Sequence, residues 1–86
     1  MIETINEPID VITLFERKGR KLTPLRFRWK NHAYHIARVV SDWSTQEGMF
    51  QKFFFSVMVK NGADCYEMSY DTRLQQWVLN RVYLGG

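Results

Sequence analysis

Apolar and polar residues alternate strictly along several stretches of this chain, and this alternation limits the folds open to it. The segment LRFRWK (25–30) alternates apolar with basic residues, and CYEMSYD (65–71) alternates polar with apolar ones. A period of two places successive side chains on opposite faces of a β-strand, whereas a helix needs a period of about 3.6. The pattern therefore predicts strands with one wet face, and it predicts that Leu25, Phe27 and Trp29 face the core.

Six segments of this kind are separated by turn signals. The predicted strands lie at about 9–15, 25–30, 33–43, 50–60, 65–71 and 76–84. Asn31 is expected to take a positive φ in a tight hairpin, and Asn61-Gly62 suits a type I′ turn. Residues 17–24 are expected to form a loop, and 41–48 a longer break with one helical turn. Short connections favour antiparallel neighbours, so the chain is predicted to be all-β: a six-stranded antiparallel meander forming a small barrel or half-barrel, as a single domain over residues 1–86.

Two of the predicted strands break their alternation, which indicates β-bulges. A bulge near 37–38 would place Tyr34, Ile36, Val39 and Trp43 on one inward face, and the last strand shows a similar slip. The strand at 50–60 is apolar on both sides, so we expect it near the middle of the sheet with both faces covered. The expected interior contains Phe27, Trp29, Tyr34, Ile36, Phe55, Val57, Tyr66, Met68, Trp77 and Leu79.

Composition fits a folded domain in a reducing compartment. The chain is 45% hydrophobic and holds thirteen Phe, Trp and Tyr residues, which rules out wholesale disorder. Cys65 is the single cysteine, so no intrachain disulfide can form. The first residues carry acids where a signal peptide needs positive charge, and no run approaches the ~18 apolar residues of a membrane span. We expect a cytoplasmic protein without membrane association.

Basic residues are concentrated in RKGRKLTPLRFRWKNHAYH (17–35), which holds seven lysines and arginines and no acid. A solvated strand face usually mixes signs, although basic residues also protect edge strands from pairing. One interpretation is weak, sequence-tolerant binding of DNA or RNA through backbone phosphates. The residues expected to make these contacts are Arg17, Lys18, Arg20, Lys21, Arg26, Arg28 and Lys30.

The alternative interpretation is a protein-interaction module that docks on an acidic partner, as a monomer or weak dimer. Nucleic-acid binding needs the loop and strand charges on one contiguous face, whereas docking predicts an exposed apolar patch at a sheet edge. Nucleic-acid-binding sheets usually add exposed aromatic side chains on which bases stack. The candidates for such exposure are limited to Trp43, Phe50 and Tyr83.

Neither a catalytic nor a metal signature stands out. His32, His35 and Cys65 do not have a zinc-site spacing. Glu67 and Asp71 would lie ~13 Å apart along a strand, beyond the usual separations of paired catalytic carboxylates. We therefore expect no enzymatic activity, no metal and no cofactor.

The spacing of the apolar residues resembles a known family. The pattern comprises Phe27-x-Trp29, Tyr34-x-Ile36, Val39, Trp43, Phe55-x-Val57, Gly62, Tyr66-Glu67-Met68-x-Tyr70-Asp71 and Trp77-x-Leu79-x-Arg81-Val82-Tyr83. It resembles a small bacterial domain family of unknown function, found free-standing or at the C-terminus of Y-family-polymerase-like subunits of the mutagenic translesion complex. The resemblance spans residues 24–83. It implies a shared fold and, in some relatives, association with DNA-repair proteins, with no catalytic residues to transfer.

Two positions depart from the family pattern. Asn31-His32 stands where relatives often have a glycine in the first turn, and Leu84-Gly85-Gly86 follows Tyr83 where an acid is common.

Overall fold

Six antiparallel strands form the fold in the computed structural model, which describes residues 1–19 and 21–85. The strands are β1 (Ile2–Glu16), β2 (Lys21–Trp29), β3 (His32–Glu47), β4 (Phe50–Val59), β5 (Cys65–Asp71) and β6 (Gln76–Tyr83). Each strand pairs with its neighbours in chain order, and β6 pairs back onto β1, which closes a barrel. The described part contains no helix. The predicted all-β meander is confirmed.

β1 is long enough to have two different partners. Its first half, Ile2–Ile9, pairs with β6, and its second half, from Asp10 to Glu16, pairs with β2. The backbone N–H of Leu84 also donates to the carbonyl oxygen of Met1 at 2.8 Å, so the two ends of the described chain lie together. β1 therefore starts seven residues before the predicted strand and closes the ring.

The core is formed by inward-facing side chains from five of the six strands. The buried apolar residues are Ile9, Phe27, Phe55, Val57, Val59, Tyr66, Met68, Trp77, Leu79 and Val82. Seven of the ten residues expected inside are among them. The other three, Trp29, Tyr34 and Ile36, are partly buried and pack against this cluster. The predicted interior is thus confirmed, with these three residues at its margin.

β3 contains two bulges where one was predicted. The register changes between Ile36 and Arg38, as expected, and again between Val39 and Ser41. The second change reverses the alternation, so Trp43 faces outward, 42% exposed, and stacks on Phe54 with ring centroids 5.3 Å apart. The prediction that Trp43 points inward is therefore wrong.

The outer face of β4 is not covered by a second layer. Phe50 is exposed, and Phe54 and Met58 are half-buried by neighbours in the same sheet. In a ring of strands no strand is central and nothing packs on the outside. The expectation that this strand is covered on both faces is wrong.

A bulge in β2 changes the position of Leu25. The register passes from Ile12 opposite Arg26 to Thr13 opposite Pro24, which leaves Leu25 as the extra residue. Pro24 takes the buried position and Leu25 is exposed. The prediction that Leu25 is buried is wrong because simple alternation cannot account for an inserted residue.

Two of the predicted breaks between strands are shorter in the structure. β3 runs on to Glu47 and turns at Gly48, so the predicted break at 41–48 is wrong, and β2 begins at Lys21, inside the predicted loop at 17–24. The β2–β3 hairpin is confirmed, with φ of 52° at Lys30 and 60° at Asn31.

The β4–β5 connection is longer than a type I′ hairpin. It spans residues 60–64, and Asn61 has a φ of 62°, whereas Gly62 is not in the left-handed region. A type I′ turn needs positive φ at both central residues, so that prediction is wrong. Gly62 is required for another reason: a Cβ there would lie 2.8 Å from Cγ2 of Val59.

Candidate docking surface on the β1–β2 arm

The far ends of β1 and β2 form a two-stranded arm, defined here as residues 12–16 with 21–25. These segments pair with each other. β2 pairs with β3 only through Arg26–Trp29, and β1 pairs with β6 only up to Ile9. Within the described residues, both long edges of the arm therefore lack a strand partner.

Large apolar side chains are exposed on both faces of this arm. Ile12 and Leu14 lie on its outer face, Phe15 lies on its inner face opposite Leu22, and Leu25 occupies the bulge. The exposed fractions of Ile12, Leu14, Phe15 and Leu25 lie between 45% and 64%. A two-stranded ribbon has no second layer to cover such residues and is marginally stable alone. The inner face of the arm packs partly on the core through Leu22 and Pro24, whereas these four apolar side chains remain exposed.

The strand residues of the predicted basic site lie next to these apolar side chains. Arg26 and Arg28 are exposed on the outer face of β2, on one side of the Leu25 bulge. Lys21 is exposed on the other side of it, at the far end of the arm. The apolar side chains therefore separate the basic groups instead of lying behind them.

The remaining residues of the predicted site lie in turns. Arg17 and Lys18 are exposed in the β1–β2 turn at the tip of the arm. Lys30 lies in the β2–β3 turn, with Nζ 4.8 Å from the ring centroid of Trp29. Arg20 lies outside the described residues. The structure thus brings Arg26 and Arg28 together, whereas Arg17, Lys18 and Lys21 lie at the far end of the arm and Lys30 lies at the opposite end of β2.

Acidic residues accompany two of these bases. Asp10 lies directly opposite Arg28, and Glu16 lies opposite Lys21 across the β1–β2 ladder. Opposite charges at such cross-strand positions attract each other and reduce the positive field on that face. The alternation of sequence could not reveal this pairing, because it depends on the register between two strands.

Trp43 and Phe50, two of the aromatic residues expected to be exposed, lie on a different strand pair, β3 and β4. Phe50, Lys52 and Phe54 share the outer face of β4, where the Phe54 ring stacks on Trp43 with an interplanar angle of 1°. Asp71 lies opposite Lys52 on β5. This face therefore combines aromatic rings with a balanced charge, unlike the basic face of β2.

Glu67 is a buried acid with a structural role. Its Oε2 lies 3.3 Å from Nε of Arg81, and its Oε1 accepts a hydrogen bond of 3.4 Å from the hydroxyl of Tyr83. These two partners compensate the cost of removing a carboxylate from water. Glu67 and Tyr83, the latter half-buried, thus hold β5 and β6 together on the outside of the barrel.

The sulfur and imidazole groups do not converge. Burial raises the pKa of the Cys65 thiol, an effect that the nearby Glu67 carboxylate increases, so the reactive thiolate is disfavoured. The His32 ring meets the Tyr34 ring edge-on at 4.7 Å, and the His35 carbonyl accepts the Lys60 N–H at 2.8 Å. Within residues 1–19 and 21–85, no three His, Cys, Asp or Glu side chains form a group that could hold a metal ion.

A family model described as a domain of unknown function (DUF6504) matches residues 1–83. The chain belongs to this family. The match supports the resemblance to a small domain family of unknown function, and it includes β1. No curated protein and no solved structure shows significant similarity to the chain. In the region that the structure describes, no helix has the length and apolarity needed to cross a membrane.

Sequence reasoning missed the apolar part of this surface. For the segment VITLFE (11–16), the sequence predicts only a strand at about 9–15, with no exposed apolar surface. Its partners became clear only from the register, which pairs this segment with β2 and not with β6. A signal was nevertheless present: Ile12, Leu14 and Phe15 are apolar on both faces of a segment next to a basic turn.

Proposed function

We propose that this member of the DUF6504 family is a protein-docking module that binds an acidic partner protein through the β1–β2 arm. One observation carries the proposal: Ile12, Leu14, Phe15 and Leu25 are all largely exposed on a two-stranded element with bases at both ends. Exposed apolar patches on folded domains mark association surfaces, and an apolar centre with a charged rim is the usual anatomy of such an interface.

Charge selects the kind of partner. Arg26 and Arg28 lie on one side of the apolar group, and Arg17, Lys18 and Lys21 lie on the other. An acidic partner satisfies both ends, whereas a second copy of this chain would bring Arg26 and Arg28 against their own equivalents in many arrangements. A DNA-repair subunit, which the family resemblance implies, is one instance of such a partner.

Nucleic-acid binding is the second candidate, and exposed Arg26 and Arg28 on one strand face support it. If about four charges met duplex phosphates, the logarithm of the affinity would fall with the logarithm of salt with a slope of about −3.6. A rise in salt from ~50 to ~200 mM would then weaken binding roughly 150-fold. The apolar side chains between the charges and the acids at Asp10 and Glu16 favour the protein partner.

The decisive experiment compares variants in a capture assay on nuclease-treated lysate of the source cell. The immobilised parent and a Leu74→Asp control are expected to retain the same acidic protein. Leu74 is also an exposed leucine, 58% accessible, and it lies in the β5–β6 turn and not on the arm. Leu25→Asp is expected to lose that protein, because it places a carboxylate in the apolar centre. Reversal of Arg26 and Arg28 to Glu is expected to weaken the capture.

Two results would overturn this proposal. One is capture that Leu25→Asp and Leu74→Asp retain equally. The other is capture that disappears with nuclease, accompanied by binding of labelled DNA or RNA in fluorescence anisotropy at ~100 μM protein or below. Binding of that kind, lost on reversal of Arg26 and Arg28 and steeply salt-dependent, would establish the nucleic-acid alternative.

A further inference from the structure

We infer that the cleft between the β1–β2 arm and the β3–β4 hairpin receives one aromatic or large aliphatic side chain of the docked partner, carried on an acidic segment. This inference rests on the proposed docking function and specifies its anchor. The cleft has a volume of about 400 Å³, within the ~300–1,000 Å³ typical of ligand pockets. It is lined by Gly19, Lys21, Leu22, Asp42, Trp43, Ser44, Phe53 and Phe55.

The cleft exists because the seam between β2 and β3 is only partly closed. Four residue pairs, from Arg26 opposite His35 to Trp29 opposite His32, join the two strands. Among the described residues, no backbone pairing joins Lys21–Leu25 to the rest of β3. The barrel interior can therefore be reached from outside between the arm and β3.

The walls and floor of the cleft favour an apolar occupant. Phe55 belongs to the buried core and forms part of the floor, while Leu22 and Phe53 are half-buried beside it. Phe15 lies on the inward side of β1 opposite Leu22, yet it is 64% exposed. An inward-facing phenylalanine normally packs against the opposite wall of a barrel. Phe15 is the cross-strand neighbour of Leu22, which lines the cleft, so a side chain inserted beside Leu22 would also cover Phe15.

The charges around the cleft determine the orientation of the partner's acidic segment. Lys21 lines the arm side, and the β1–β2 turn with Arg17 and Lys18 adjoins it. Asp42 lines the β3 side. Acidic residues next to the anchor would therefore be attracted to the arm and repelled from β3, which gives the bound segment a defined side.

Insertion of a whole strand into the seam is a less suitable solution. Pro24 has no N–H to donate on β2, and Leu25 forms a bulge there. β3 carries two further bulges, between Ile36 and Arg38 and between Val39 and Ser41. Proline and bulges are devices by which edge strands resist added strands. A single anchoring side chain needs none of these backbone groups.

A random peptide library displayed on phage tests the inference with the intact domain as bait. Enriched peptides are expected to contain a large apolar residue next to acids. Their affinities, measured by fluorescence anisotropy, are expected to fall at least tenfold in Phe15→Ala and in Leu22→Ala. Phe50→Ala, which removes an exposed phenylalanine from the outer face of β4, is the matched control and is expected to bind normally.

Thermal unfolding monitored by circular dichroism shows whether a variant that loses peptide binding is still folded. Phe15 is mostly exposed, so Phe15→Ala should melt with the parent even if Leu22→Ala does not. Enriched peptides that bind both variants as tightly as the parent would overturn the cleft assignment. If Leu25→Asp abolished peptide binding while Phe15→Ala and Leu22→Ala did not, docking on the arm would be supported and only the assignment of the anchor to the cleft would be overturned. If no peptide were enriched from the library, the inference of an anchoring side chain would be overturned. The docking function is tested separately, and it would be overturned if the domain captured no protein from lysate.

Discussion

Trp77 has the environment of a core residue although it lies near the start of β6. Its ring centroid lies 5.7 Å from that of Phe55 and 5.2 Å from that of Tyr70, and the residue is buried. Truncation of a large buried aromatic side chain usually costs ~3–5 kcal/mol. We expect Trp77→Ala to lower the free energy of unfolding by about this amount in urea titrations, a large part of a small domain's stability.

Trp29 provides the graded comparison for this prediction. It is half-buried, and its Nε1 donates a hydrogen bond of 3.2 Å to Oε1 of Glu7. Trp29→Ala should therefore cost less than Trp77→Ala, and Trp43→Ala, on the outer face, should cost least. A Trp77→Ala variant that unfolds at the same urea concentration as the parent would contradict the assigned core.

Tyr66 links stability to alkaline pH. Its burial, together with neighbouring Tyr34 and Asp64, raises the pKa of the Tyr66 hydroxyl. The folded protein therefore holds this proton to a higher pH than the unfolded chain does. The resulting stability is complete below the ordinary tyrosine pKa of about 10 and is lost as pH rises through the folded value. We expect the free energy of unfolding to fall above about pH 10, and to fall less steeply in Tyr66→Phe.

Cys65 makes a separable contribution of the same sign. Burial raises the pKa of its thiol, so its effect begins at the lower pH of ordinary thiol ionisation, about 8.5. Comparison of Cys65→Ser with the double variant Cys65→Ser/Tyr66→Phe isolates the contribution of the tyrosine from that of the cysteine in urea titrations across this range. Parallel loss of stability in the parent and in Tyr66→Phe would show that the hydroxyl is not the responsible group.

At the level of elements, the β2–β3 turn stores backbone strain. Lys30 and Asn31 both have positive φ, which asparagine tolerates and which costs lysine about 1 kcal/mol. Replacement by Asn-Gly, through Lys30→Asn with Asn31→Gly, should raise the free energy of unfolding by about 1 kcal/mol. The increase should appear as a higher thermal unfolding midpoint. A variant less stable than the parent would mean that contact of the Lys30 ammonium with Trp29 outweighs the strain.

Gly48 in the β3–β4 turn is the matched control. Its φ is 59°, and no atom lies within 4 Å of a Cβ added there. Gly48→Ala therefore changes the backbone preference without a steric clash, and it should lower the free energy of unfolding by about 1 kcal/mol. Opposite effects of the two turn variants would support left-handed strain as their shared cause.

Local features of these elements could be predicted from the sequence, whereas features that depend on pairing between strands could not. The existence and order of the strands followed from alternation, because each strand has one face in contact with a core of aromatic and branched residues. The outward position of Trp43 and the exposure of Leu25 did not follow. Both depend on bulges whose place is set by pairing with β4 or β1. The predicted first strand begins only at residue 9, because Pro8 and several acids interrupt the apolar pattern of β1 before Ile9.

The charge of the candidate surface could be predicted from the sequence, but its shape could not. The basic residues from Arg17 to Lys30 could be located from sequence, since exposed positions alternate with buried ones. Their separation by Ile12, Leu14 and Leu25 required the register of β1 against β2. The cleft required knowledge of where the β2–β3 ladder ends, which no local pattern encodes.

At the scale of the whole molecule, charge is distributed along the chain in a way that gives the domain a direction. Eight of the twelve basic residues fall between Arg17 and Arg38, and none of the nine acids does. The rest of the chain therefore has four basic residues against nine acids. A dipolar domain of this kind orients as it approaches a charged partner, which favours encounters that present β2 and the arm first.

The two partners of β1 also set the order in which the fold can assemble. β2 follows β1 at once in synthesis, so the arm can form as a local hairpin while the rest of the chain is still being made. The first half of β1 must wait for β6, because Ile2 pairs with Tyr83 at the other end of the sequence. Pairing between such distant segments is entropically costly and slow, so closure of the ring is expected to be the last step of folding. A partner that recognises the arm could therefore engage a nascent chain before its barrel has closed.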